Sequence, residues 1–356
     1  MNKLLLALLL FLLSFSWIKV TASDSCPESF PWKAQWINTE RCQSATNTWL
    51  IYRKSFAVTD VPNQLIARIA ADSKYWLWIN DQLVIFEGGL KRGPSPSGTY
   101  YDPVDIAPYL TKGSNTIAIL LWHFGKDGFS HINSGKAALL FEAIAPGLEI
   151  VSDASWQCAL YEAYQNTEAP FPNYRMPESN IRFDARQAIT NWNRTSFEGS
   201  LPGAVCVGKA GKAPFGDLVE RPIPQWKNSG LLSYVSVRES LRGDTLFCRL
   251  PYNAQITPYL KVEAEAGKTI HIRMDNYEGG SERNVRAEYI TREGEQEYES
   301  YGWMNGHEVY YIIPKGVKVL DVKYRETGYN TDLAGSFHCD DPFYDELWQR
   351  SARTLY

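Results

Sequence analysis

The sequence predicts a mainly all-β protein: two β-sandwich or jelly-roll domains in tandem, with the start of a helix at the C-terminus. Three observations carry this. Short runs rich in β-branched and aromatic residues recur from Phe30 to about Ser152 and again from Leu231 to Gly335, punctuated by Gly, Pro, Asn and Asp. Two such runs, Lys74 to Ile79 and Gln82 to Phe86, flank the turn-forming pair Asn80-Asp81, the spacing of a tight hairpin. Asp341-Pro342 then places an N-cap residue before a proline at the first helical position.

Taken in order, residues 1–22 have the make-up of a secretory signal peptide. Lys3 supplies the basic start, and Leu4 to Ile18 is an apolar run too short to span a bilayer. Val20-Thr21-Ala22 is a small-residue cleavage site, and the charge on Asp24 argues against a lipid anchor on Cys26. The expected location is therefore secreted or periplasmic. A first sandwich is expected over 23–220, with strands at Leu50–Phe56, Leu65–Ala71, Lys74–Ile79, Gln82–Phe86, Asn115–Phe124 and Ala137–Ala143. Its part from about 153 is irregular, with proline and aromatic residues alternating. Arg221-Pro222-Ile223-Pro224 reads as extended linker and opens a second sandwich over 221–335. Residues 336–356 hold a linker and a helix on which Phe343, Leu347, Trp348, Leu355 and Tyr356 fall near one face. Nothing in the sequence is an obvious partner for that face, so a longer, truncated design is expected.

The 356 residues are 44% hydrophobic, 13% aromatic and 21% charged, which excludes a disordered chain. A net charge of −4 and the lack of a long Lys/Arg cluster exclude a nucleic-acid footprint. After the leader no stretch is long and apolar enough for a membrane helix. Six cysteines in an exported chain permit disulfides, and sequence does not choose among the pairings, although Cys26 with Cys42 closes the shortest loop. Cys158, Cys206, Cys248 and Cys339 are too widely spread for a zinc knuckle or a redox pair.

No HExxH pair, nucleophile elbow, P-loop or dinucleotide fingerprint is present. Glu178, Asp184, Glu278 and Glu326 lie in distinctive segments, and ion pairs with Arg175, Arg182, Arg273 or Arg325 are expected of them before catalysis. No catalytic residue is assigned. The aromatic residues are more suggestive, because sugars stack their C–H faces on aromatic rings while polar groups orient the hydroxyls. Trp76 and Trp78 share one strand face, Tyr75 and Leu77 the other, and Trp122 lies on a second apolar strand. With Arg92, Tyr101 and Asp102 on the following loop and strand, they form the candidate carbohydrate-binding set, weighed against a core role for the tryptophans and a loop-closing ion pair for Arg92 and Asp102.

The segment Ala70-Ala71-Asp72-Ser73-Lys74-Tyr75-Trp76-Leu77-Trp78-Ile79-Asn80 resembles the N-terminal sandwich of bacterial α-L-rhamnosidases. So do Lys91-Arg92-Gly93, Tyr100-Tyr101-Asp102, Asn173-Tyr174-Arg175-Met176-Pro177-Glu178-Ser179, Arg221-Pro222-Ile223-Pro224 and Tyr324-Arg325-Glu326-Thr327-Gly328-Tyr329. Ala334-Gly335-Ser336-Phe337-His338-Cys339-Asp340-Asp341-Pro342-Phe343 is similar to the start of their catalytic domain. The ordered set covers nearly the whole chain after the leader. One departure is Asp81, where such proteins often have Gly, which points to a different turn there.

The resemblance implies an inverting glycoside hydrolase that removes terminal α-L-rhamnose from glycans. Its β-sandwiches, the first galactose-binding-like, precede an (α/α)6 barrel that carries the acidic pair, and the helix at Asp341 would open that barrel. The implied partners are rhamnose-containing glycans and a catalytic domain beyond these residues. No cofactor is assigned; calcium is the one candidate, with Asp72, Asn80 and Asp81 as conceivable oxygen donors. The expected function is thus the non-catalytic β-sandwich region of a secreted α-L-rhamnosidase-like hydrolase. The alternatives are a stand-alone carbohydrate-binding module and a scaffold that pairs with a separately encoded barrel.

Overall fold

The computed structural model describes residues 31–89, 98–129, 131–172, 176, 178–276 and 285–355. The expected leader, Cys26 and Arg92 lie outside them, as do Arg175, Glu278 and Tyr356. Lys33–Tyr356 forms one unit and Met1–Trp32 another; all the elements below belong to the first.

The chain opens with β1 (Gln35–Asn38), β2 (Thr48–Val58), β3 (Ile66–Asp72), β4 (Lys74–Ile79), β5 (Gln82–Gly89), β6 (Thr99–Asp105), β7 (Gly113–His123), β8 (Ala138–Ala145), β9 (Leu148–Val151) and β10 (Gln157–Leu160). Four short strands follow in the irregular stretch: β11 (Tyr164–Asn166), β12 (Ile181–Asp184), β13 (Val205–Lys209) and β14 (Leu218–Glu220). Then come β15 (Ser236–Glu239), β16 (Thr245–Ala264), β17 (Thr269–Met274), β18 (Arg286–Ile290), β19 (Gly294–Glu299), β20 (Met304–Ile312) and β21 (Val317–Glu326). The helix α1 (Pro342–Thr354) ends the series.

Among the described residues these strands form three sheets. A seven-stranded sheet runs β13-β1-β8-β3-β6-β14 with β9 beside β8, and a five-stranded sheet runs β10-β2-β7-β4-β5. A nine-stranded sheet runs β11-β12-β18-β17-β20-β16-β15, with β19 and β21 on the far half of the long β16. The irregular stretch divides its strands between the layers. β13 and β14 pair with β1 and β6, while β12 pairs in parallel with β18 of the nine-stranded sheet.

Two apolar cores follow from the period-2 alternation of strand side chains. One lies between the seven- and five-stranded sheets and takes Tyr75, Leu77, Ile119, Leu121 and Phe141. The other covers the opposite face of the five-stranded sheet and continues into the nine-stranded one. It takes Trp49, Trp76, Trp78 and Trp122 together with Phe183, Tyr289 and Tyr298. Strand β4 is buried along its whole length because both of its faces meet a core.

The β4–β5 hairpin turns at Asn80 and Asp81, with φ of 46° and 70°. Both are left-handed, as a two-residue type I′ turn requires. Asp81 therefore keeps the turn in which Gly is the usual residue. Its carboxylate accepts from Thr195 N at 2.5 Å and Thr195 Oγ1 at 3.0 Å, which holds the turn in place. At the C-terminus the Asp341 carboxylate accepts from Phe343 N at 3.0 Å, the expected N-cap. No residue of α1 is buried, and Phe343, Tyr344, Leu347, Trp348 and Leu355 are exposed.

Candidate functional site

The tryptophans sit in the core. Trp76 and Trp122 are 0% exposed and Trp78 is 9% exposed. Trp49 stacks on Trp122 with ring centroids 4.6 Å apart, and Trp76 stacks on Tyr301 at 4.6 Å. The Asn47 carboxamide accepts from the indoles of Trp49 and Trp122 at 3.0 and 2.7 Å. Trp76 and Trp122 present no open ring face on which a sugar can stack. Their energetic role is burial, worth about 1.5–3 kcal/mol or more for each large side chain.

Asp102 lies at the centre of a closed polar group. Its Oδ2 accepts from Tyr75 Oη at 2.7 Å and from Gly89 N at 2.8 Å, and Oδ1 lies 2.7 Å from Arg221 Nε. Arg221 also donates to Gly89 O at 3.1 Å. The ion pair of Asp102 therefore runs to Arg221 at the start of the proline linker, and it fastens that linker to β5 and β6. Tyr101, next on β6, points the other way and is half-exposed, its hydroxyl 3.5 Å from Glu220 Oε2.

The three candidate calcium ligands are not brought together. Asp72 precedes β4 and Asn80 follows it. A six-residue strand separates them by about 20 Å at ~3.3 Å per residue. Asn80 donates to Tyr109 O at 2.9 Å and Asn115 Oδ1 at 2.7 Å, and its carbonyl accepts from Thr116 N at 2.9 Å. Asp81 is committed to Thr195. Among the described residues no cluster of three or more His, Cys, Asp or Glu has the arrangement of a metal site.

Asp72 belongs instead to a buried polar group built on the triplet Asp72-Ser73-Lys74. Ser73 Oγ donates to Asp72 Oδ1 at 2.9 Å, Ser134 N donates to Oδ2 at 2.8 Å, and His123 Nδ1 lies 3.2 Å from Oδ1. His131 Nε2 stands 3.3 Å from Ser73 Oγ. Burial opposes the charge on Asp72, but the hydrogen bonds from His123 and Ser134 outweigh it and hold its carboxyl below the usual range. Lys74 is fully buried, with Nζ 3.2 Å from Glu87 Oε1, 3.6 Å from Glu178 Oε1 and 3.5 Å from the centroid of the Trp303 ring. Trp303 Nε1 donates to Glu87 Oε2 at 2.8 Å. Burial pushes the Glu87 carboxyl up, against the pull of Lys74.

Among the described residues, which exclude Glu278 and Arg175, the ion pairs of these segments are the following. Glu178 meets Lys74, Asp184 meets Arg186 at 2.7 Å, Arg325 meets Glu299 at 2.8 Å, and Arg182 meets Glu288 at 2.7 Å. Arg325 and Glu326 are adjacent on β21, so their side chains leave opposite faces and do not pair. The polar triplet at 72–74 inside an apolar run was the sequence signal for a buried network; nothing local pointed to Glu87 or Trp303 as partners.

Glu326 leads to a cleft of about 650 Å3 between α1 and the end of the nine-stranded sheet. Tyr252 Oη donates to the Glu326 oxygens at 2.8 and 3.0 Å, and the Arg353 guanidinium from α1 stands 4.5 Å from the Tyr252 ring centroid.

This architecture defines a class: multi-sheet β proteins in which a sandwich rests its second face on a further large sheet. Within it, the chain shares its fold with parts of solved α-L-rhamnosidases, as the sequence resemblance leads one to expect. It is similar to the GH78 family rhamnosidase of Bacillus sp. GL1, with TM-score 0.78 and 17% identity over 90% of this chain and 57% of that one. It is similar to the α-L-rhamnosidase from Dictyoglumus thermophilum, with TM-score 0.65 and 20% identity over 89% of this chain and 38% of that one. It is similar to the Streptomyces avermitilis α-L-rhamnosidase complexed with L-rhamnose, with TM-score 0.60 and 16% identity over 85% of this chain and 31% of that one. The chain thus spans little more than half the length of the first of these proteins and about a third of the other two. No protein-family model matches the sequence, and no curated protein matches it.

Proposed function

We propose that this chain is the non-catalytic β-sandwich region of an exported, α-L-rhamnosidase-like glycoside hydrolase acting on rhamnose-containing glycans. The observation that carries the reading is the likeness of fold: nine-tenths of the chain superposes on a rhamnosidase while covering 57% of it. Two further features support it. Of the distinctive carboxylates among the described residues, Glu178 and Asp184 meet cations and Glu326 accepts from a phenol. The helix α1 presents apolar side chains for which the sheets supply no cover, as a helix packing on further helices would. The division into sandwiches at 23–220 and 221–335 is part of the same proposal, as is export through residues 1–22.

Reading the gene beyond codon 356 tests the proposal. An open frame encoding a run of amphipathic helices is expected, and a stop codon with no helical-domain frame after it would count against an accessory role. For export, intact mass analysis of the protein recovered outside the cytoplasm is expected to place the mature N-terminus at Ser23. A chain beginning at Met1 would remove that part of the reading.

A further inference from the structure

The cleft beneath α1 is roomy and polar. Its volume of about 650 Å3 falls within the range of small-molecule sites. Tyr252, Asn305 and Glu326 stand on the sheet side, and Gln349, Arg350 and Arg353 on the helix side. Glu346, also in the wall, is tied to Arg350 of its own helix by an ion pair at 2.5 Å. Besides His307, an imidazole on the sheet side, the remaining charges are Glu326 and Arg353, which come from opposite walls and balance. A balanced site does not select an ion, and a wall made mainly of amides, charged groups and a phenol does not suit an apolar ligand. These side chains are planar hydrogen-bonding groups: a carboxylate accepts from two adjacent hydroxyls, a carboxamide donates and accepts, and a guanidinium donates in a fork.

We infer that this cleft binds a neutral saccharide, with Glu326 accepting from a vicinal diol and Arg353 donating from the helix to a neighbouring sugar oxygen. The ligand would bridge β21 and α1. The choice of a rhamnosyl sugar rests on the function proposed above; the saccharide class rests on the cleft.

The test is calorimetric titration of the full 356-residue chain with L-rhamnose, D-galactose and D-galacturonate. The same titrations on Glu326→Ala and Arg353→Ala, and on Glu239→Ala in the exposed strand β15, complete it, with far-UV circular dichroism to verify each fold. L-Rhamnose is expected to bind, with affinity falling about tenfold or more in either cleft variant, the loss of a hydrogen bond to a charged group, and unchanged in Glu239→Ala. Arg353 is exposed on α1, so its variant keeps the test valid if Glu326→Ala unfolds. Binding that both cleft variants leave unchanged, preference for galacturonate, or no binding by either neutral sugar overturns the assignment. Binding of D-galactose alone, lost in both variants, supports the saccharide cleft and overturns only the rhamnosyl choice.

Discussion

Asp72 carries its charge where water does not reach. Its folded pKa is held below the ordinary value by His123 and Ser134. A carboxyl depressed in this way stabilises the fold at pH values above its unfolded pKa, and the contribution is lost as pH falls through the lower, folded value. Asp72→Asn is therefore expected to cost about 1–3 kcal/mol at pH 7. The gap between variant and wild type should narrow below about pH 4, near the unfolded carboxyl value. Urea denaturation of both proteins across pH 3–7 measures this, and a gap that stays constant or widens in acid would refute it. At this scale the sequence was partly legible. Alternation placed Trp76 and Trp78 on one face of β4 and Tyr75 and Leu77 on the other, as observed. It did not decide whether that face was open. The answer depends on a third sheet whose strands lie more than 80 positions further along the chain.

Between elements, Lys74 of β4 and Glu87 of β5 are joined to Trp303, just before β20, in one buried contact. This ties the five-stranded sheet to the nine-stranded one. Removing one partner of a buried pair strands the other charge, so Lys74→Met is expected to cost about 3–5 kcal/mol. In the double variant Lys74→Met, Glu87→Gln, the amide still accepts from Trp303 and the buried Glu87 charge is gone, while the partly exposed Glu178 loses its cation, so part of that loss should return. A double-mutant cycle by chemical denaturation checks this. A single-variant cost under about 1 kcal/mol, well short of that for a broken buried pair, or a double variant no better than the single, would show that the pair is not what joins the sheets. Local rules served well for elements whose cause is local. The Asn80-Asp81 hairpin and the Asp341-Pro342 helix start stand where turn and capping chemistry put them. The short strands β11 to β14 were not legible, because 3–5 residues carry little periodicity and their sheet partners are chosen by long-range pairing.

At the scale of the molecule, the three sheets and two apolar cores found among the described residues take up much of the aromatic content that the composition displays. The sugar-stacking reading of the tryptophans does not fit their burial, and a polar cleft lies instead at the junction of the nine-stranded sheet with α1. The sequence showed only part of that junction: Glu326 stood out in a distinctive segment, but Tyr252, Glu326 and Arg353 are far apart in the chain and nothing local joined them. Under the proposed function, these residues support glycan hydrolysis without performing it. Incubating the purified 356-residue chain with p-nitrophenyl α-L-rhamnoside tests this most directly. No p-nitrophenol release above the uncatalysed rate is expected; release proportional to protein concentration would overturn the non-catalytic role.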